Sequence, residues 1–109
     1  MPMWRPGRYR RIVGAVLGPT SVTASIVSDD IRLDWISSTS PISWNVQVFV
    51  NIFGSGHFSL VRNATLAGNV RQYNPAFGLD SGDAAYGIVV GTFSSGSGPS
   101  VQSATVTEP

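Results

Sequence analysis

From Thr20 onward the chain is built of short runs in which apolar side chains alternate with polar or small ones. Val22, Ala24 and Ile26 alternate with Thr23 and Ser25, and Ile31, Leu33 and Trp35 with Arg32 and Asp34. Trp44, Val46, Val48 and Val50 alternate with Asn45 and Gln47, and Phe58 and Leu60 flank Ser59. Residues 70–73 form a short candidate strand, Tyr86, Ile88 and Val90 alternate with small neighbours, and residues 101–107 make a terminal run. Successive side chains of a strand point to opposite faces, so a period of two marks a strand with one buried face. Turn-forming residues separate the runs at 37–41, 54–56, 80–83 and 94–99, the spacing of a sandwich. No stretch sustains a helical period.

The pattern predicts an all-β fold: a seven-stranded antiparallel sandwich over 20–109, with an extended arm over 1–19. With 109 residues the chain is one domain, large enough to hide roughly two-thirds of its unfolded surface. It has no cysteine, so the core has neither disulfide nor thiolate-metal support. No apolar run approaches the roughly 18–20 residues of a membrane-spanning helix, and no membrane partner is expected. Arg10-Arg11 followed by residues 12–17 could be read as a secretory leader, but the run is short and broken by Gly14, so an extended arm is preferred.

The residues from Pro19 to Thr107 resemble a fibronectin type III domain, an immunoglobulin-like sandwich. Trp35 stands where the family has its buried strand-B tryptophan, and Trp44-Asn45-Val46-Gln47-Val48 resembles strand C. Leu79, the turn at 80–83 and Tyr86 are similar to the family's leucine, glycine-containing turn and corner tyrosine opening strand F. Here the leucine-to-tyrosine spacing is one residue longer than the family's, and the turn proline is missing. The resemblance implies a core of Trp35, Val46, Val48, Leu79, Tyr86, Ile88 and Val90, with Trp35 and Tyr86 filling the centre from facing sheets. It implies little about activity, because such folds serve adhesion, spacing and presentation.

The residues of an active centre are not assembled in the sequence. His57 is the one histidine, on a predicted hairpin loop, and no serine has an orienting base and acid. The chain is therefore expected not to be an enzyme and to carry no cofactor. Asp29, Asp30 and Asp34 are the acidic cluster; a calcium site there would need further oxygens, from Asp80 or Asp83. Gly96-Ser97-Gly98 has no following helix, so it is not a dinucleotide fingerprint. Asn63-Ala64-Thr65 is a glycosylation sequon only in a secreted chain.

Charge divides unevenly. Arg5, Arg8, Arg10 and Arg11 lie within the first 11 residues with no acid, while the rest carries three arginines against six acids. Trp4, Arg5, Arg8, Tyr9, Arg10 and Arg11 are the candidate partner-binding residues, since arginine interleaved with aromatics suits an interface. In size and architecture the chain resembles virion accessory proteins of tailed bacteriophages. The leading expectation is a structural protein of the virion, a capsid decoration (cement) protein or a small tail component assembled in the host cytoplasm. Its arm would be anchored on a capsid or tail protein of a symmetric assembly. The alternatives are an extracellular adhesion or carbohydrate-binding module, and a nucleic-acid-associated protein using the arm.

Overall fold

A computed structural model describes residues 17–109. It contains nine strands: β1 (Ser21–Val27), β2 (Asp30–Ile36), β3 (Ser43–Asn51), β4 (Ser59–Ala67), β5 (Gln72–Tyr73), β6 (Ala84–Phe93), β7 (Gly96–Ser97), β8 (Val101–Gln102) and β9 (Val106–Thr107). All described pairings are antiparallel, in two sheets. One sheet has the order β1-β2-β5; in the other, β4-β3-β6 is completed by β7, β8 and β9, each paired to β6.

The expected seventh strand, 101–107, is thus present in two pieces, β8 and β9, and a further short strand, β7, forms in the segment before it, which raises the count to nine. Gly96 and Ser97 pair with Phe93 and Thr92, Val101 with Val89, and Val106 with Ala85. The register slips by one residue at each interruption. Gly98-Pro99 makes the first break, because proline cannot donate to a ladder. At the second, the Ser103 side chain takes part: Gly87 N donates to Ser103 Oγ at 3.0 Å. The segment 94–99, expected as a turn between two strands, opens with a tight hairpin that pairs Gly96 and Ser97 with Phe93 and Thr92. Residues 70–73 form a strand only at Gln72–Tyr73, and Leu17 to Pro19 lie against the sandwich with Gly18 and Pro19 buried.

The two sheets enclose one core. Ile31, Leu33 and Trp35 of β2 face Trp44, Val46, Val48 and Val50 of β3, and all are buried. Trp35 and Trp44 meet across the sandwich edge to face, with ring centroids 5.8 Å apart. Trp44 Nε1 donates to the Gly68 carbonyl at 3.0 Å, so its one polar atom is satisfied. The Arg71 guanidinium lies over the Trp44 ring, 5.3 Å from its centroid, and donates to the same carbonyl.

Four of the expected core residues, Trp35, Val46, Val48 and Leu79, are buried. Tyr86, Ile88 and Val90 are not; β6 presents the opposite face. Its inward row is Ala85, Gly87, Val89 and Gly91, and Tyr86, Ile88 and Val90 are half-exposed on the outside. Space is the reason. A Cβ on Gly87 would lie 2.6 Å from Leu33 Cδ2, and one on Gly91 would lie 3.1 Å from Trp44 Cζ3. Large side chains of β2 and β3 fill the centre, and β6 must supply small ones. Trp35 accordingly meets Trp44, not Tyr86.

Candidate interaction surface

The inversion of β6 places an aromatic group on the outer face of the larger sheet. Phe49 of β3 and Tyr86 of β6 are direct cross-strand partners. Their rings stack, 5.0 Å between centroids and 14° between planes. Phe58, on the loop before β4, meets Tyr86 edge to face at 4.9 Å. Leu60 reaches the same face because the β3–β4 register shifts between Val48 and Phe49. The bulge at this shift leaves Val61 and Arg62 both beside Val48, so the side chains beyond it change faces. Phe58 and Leu60 keep more than a third of their surface in solvent, at 37% and 48%. The neighbouring loop adds Ile52 and Phe53, both exposed, with Phe53 packed against Gly82.

The remainder of this face is neutral. Ser43, Asn45 and Gln47 of β3 pair with Thr92, Val90 and Ile88 on one side. On the other they pair with Ala67, Thr65 and Asn63. Gln102 lies beyond Ile88 and Thr107 beyond Ala84. No aspartate, glutamate or arginine occupies any of these outward ladder positions. Asn45 Nδ2 donates to Asn63 Oδ1 at 2.8 Å, bridging two strands. A solvated sheet face ordinarily carries charges, whereas the centre of a protein interface is depleted of them and enriched in aromatics.

Because Phe49 and Tyr86 stand face to face on adjacent strands, they turn ring edges outward instead of a flat platform. Stacking on a sugar or a base needs an accessible ring face. Contact with a protein surface needs only apolar area and a hydrogen-bonding rim, and Asn45, Gln47, Asn63, Thr65 and Gln102 supply the rim. One sign in the sequence could have found this patch: Val48-Phe49-Val50 is apolar on both phases, so that end of β3 is apolar on both faces.

The other candidate groups are scattered. His57 is exposed on the hairpin loop, its Nδ1 3.1 Å from the Ser55 carbonyl. Asp34 pairs with Arg32 at 3.0 Å and accepts from Gln72 at 2.9 Å. It does not join Asp29. At one pole of the sandwich Asp29 is instead gathered with Asp80, Asp83 and Glu108. Ser28 and Asp29 form the two-residue β1–β2 turn with φ of 50° and 66°, the type I′ geometry that matches strand twist. Asp83 is buried, its carboxylate accepting from Phe53 N and Asp80 N at 2.9 Å each. These two backbone donors hold its pKa below the ordinary aspartate value. Glu108 goes the other way, raised by a hydrogen bond with the Asp29 carboxyl, by burial and by the charges of Asp29, Asp80 and Asp83. Among the described residues, no group of three or more histidines or acids is placed to hold a metal ion. The arm candidates Trp4, Arg5, Arg8, Tyr9, Arg10 and Arg11 lie outside the described residues.

The chain is an immunoglobulin-like, fibronectin-like β-sandwich in fold, as two solved structures show. One is pectate lyase PelI from Erwinia chrysanthemi in complex with tetragalacturonic acid, 20% identical, with a TM-score of 0.51. The likeness covers 80% of this chain and 27% of that one. The other is the twitchin kinase region from C. elegans (Fn31-NL-kin-CRD-Ig26), 15% identical, with a TM-score of 0.52. It covers 84% of this chain and 17% of that one. The chain spans only a fraction of either protein, and the likeness is one of fold alone. No protein-family model matches the chain, and no curated protein matches it.

Proposed function

We propose that this chain is a non-enzymatic binding module whose contact surface is the outer face of the β4-β3-β6 sheet, centred on Phe49, Phe58 and Tyr86. The occupant is a protein with a neutral, apolar surface. One observation carries the reading: the outward ladder positions around that aromatic group hold no charged side chain. Such a face gains from apolar burial and offers nothing to phosphates, whose binding is driven by cations. A structural component of a large symmetric assembly, such as a virion shell or tail, is the setting in which this face and a basic arm serve together as two attachments.

The test is stoichiometric incorporation of the full chain into its parent assembly, read by quantitative mass spectrometry. Tyr86→Lys or Phe58→Lys should each weaken attachment by roughly thirtyfold or more, the loss of one central aromatic anchor. Both variants should remain folded, each losing no more than about 1.5 kcal/mol in denaturant unfolding. Wild-type incorporation of both, together with loss on deleting residues 2–11, would place the interface on the arm.

A further inference from the structure

We infer that the free edge of β4 is a seam between two copies of this chain. Residues 63–67 pair antiparallel with the same residues of a second copy, about a two-fold axis at Thr65, and join the two larger sheets into one.

Among the described residues β4 pairs with β3 alone, so it is the edge strand of its sheet. Every second residue of an edge strand turns its N–H and C=O away from its neighbour, which makes a template for another strand. Both ends of this edge are closed from within the chain. At the bulge, Arg62 Nη1 donates to the Val61 carbonyl at 2.9 Å. After the strand, Val70 N donates to the Ala67 carbonyl at 3.0 Å. Between these points Asn63 to Ala67 keep an unbroken register with Gln47 to Ser43. This stretch holds no proline, no charge and no bulge, the devices that ordinarily keep an edge from pairing.

The core is also least covered on this side. β1 lies against β6, β8 and β9, so β4 and β5 flank the opposite side of the sandwich. β5 is only two residues long and does not close it. Among the described residues, eight half-buried apolar side chains pack on the core, and five of them lie along this side: Val61, Leu66, Val70, Tyr73 and Phe77. Arg62, 4.9 Å over the Phe77 ring, covers one end of the strip, and Arg71, over Trp44, covers the other. Leu66 and Tyr73 are left half-exposed between them.

The two features together select the occupant. An extended peptide would satisfy the edge by adding a strand, but it would bring no second layer to cover the strip between the sheets. A second copy brings both, its own β4 for the edge and its own apolar strip to lie against this one.

The register follows from the chain. Pairing centred on Thr65 sets Asn63 opposite Ala67 and Ala64 opposite Leu66, and it uses the whole flat stretch. A centre one residue nearer the bulge would set Arg62 against Leu66, and a centre one residue the other way would run into the turn after Ala67. Arg62 is the one charge on β4. With the axis at Thr65 the two copies of Arg62 stand about 20 Å apart along the seam at strand rise, beyond the screening length of physiological salt. The contact is isologous, so it closes at two copies.

The test is sedimentation velocity of the full chain over a concentration series, wild type beside Thr65→Lys and Thr65→Asp. Thr65 is exposed, so each variant should stay folded, checked by a cooperative urea transition. Wild type should form a dimer that added salt does not dissociate. Each variant sets two like charges against each other on the axis and should weaken association at least about tenfold. An equimolar mixture of the two sets opposite charges there and should recover a one-to-one dimer, now weakened by salt. A monomeric wild type, a dimer that survives Thr65→Lys, or a mixture that stays monomeric overturns the inference. So does a dimer lost in Tyr86→Lys, which would put the contact between copies on the aromatic face.

Discussion

Gly87→Ala should destabilise the sandwich, although it adds only a methyl group and removes a glycine from a strand. The new Cβ would point into the core, 2.6 Å from Leu33 Cδ2 and 2.9 Å from Cγ. Carbon atoms pack best at about 3.5–4.0 Å, so the methyl overlaps its neighbour by about 1 Å. Leu33 cannot swing out of the way, because it is fully buried between the sheets. Overpacking of this kind costs about 1–3 kcal/mol, and the entropy recovered on replacing glycine offsets at most about 1 kcal/mol. A net loss of about 1–2 kcal/mol remains, which lowers the melting temperature of a domain this size by roughly 5–15 °C. Urea unfolding should show a lower midpoint with an unchanged slope. In the Leu33→Ala background, itself costing about 2–5 kcal/mol, the added methyl should be tolerated, so that the two effects fall short of additivity. A Gly87→Ala chain that melts at or above wild type would mean that Gly87 faces solvent and that the Tyr86 row is the inward one.

Trp35→Ala should cost about 3–5 kcal/mol, read by denaturant unfolding, because it empties the centre and removes the partner of Trp44. Tyr86→Ala should cost no more than about 1.5 kcal/mol, the value of surface stacking on Phe49 and Phe58, and a loss matching that of Trp35→Ala would contradict the outward placement. Arg71→Lys should destabilise by about 1–2 kcal/mol, since a lysine cannot bond the Gly68, Val70 and Thr39 carbonyls together while lying over Trp44; an unchanged midpoint would show the network to be idle. The two shifted acids set opposite pH dependences. Asp83, with its pKa lowered, contributes stability above the ordinary aspartate range that is lost as pH falls through its folded value. Glu108, with its pKa raised, contributes stability below the ordinary glutamate range that is lost as pH rises through its folded value. Midpoints measured against pH should therefore lose the acid-side decline in Asp83→Asn and the higher-pH decline in Glu108→Gln.

Strand existence was readable because the signal is local. The alternation of β1, β2 and β3 gives their inward residues directly, and Trp35, Trp44, Val46 and Val48 lie where period two puts them. The phase of β6 was not readable in the same way. Both of its rows, Ala85-Gly87-Val89-Gly91 and Tyr86-Ile88-Val90, are uncharged, so hydrophobicity leaves either one free to face inward. The volume already taken by Leu33 and Trp44, on strands far away in sequence, decides between them. The broken last strand is hidden for a related reason: its pairing is imposed by β6, and residues 94–107 hold little apolar patterning of their own.

The acids show the same limit from the other side. Asp29, Asp30 and Asp34 are neighbours in sequence, yet strand geometry separates Asp34 and leaves it with Arg32 and Gln72. Asp80, Asp83 and Glu108 are remote from Asp29 in sequence and close in space, because a β1–β2 hairpin, the turn entering β6 and the end of β9 must all come to one end of an antiparallel sandwich. Topology thus sorts the charge: acids collect at one pole, and the outer face of the larger sheet is left neutral. On the reading proposed above, that neutral face is held to its partner by apolar contact and not by charge. Raising the salt should therefore leave attachment to the parent assembly in place, whereas Tyr86→Lys should release it at any ionic strength.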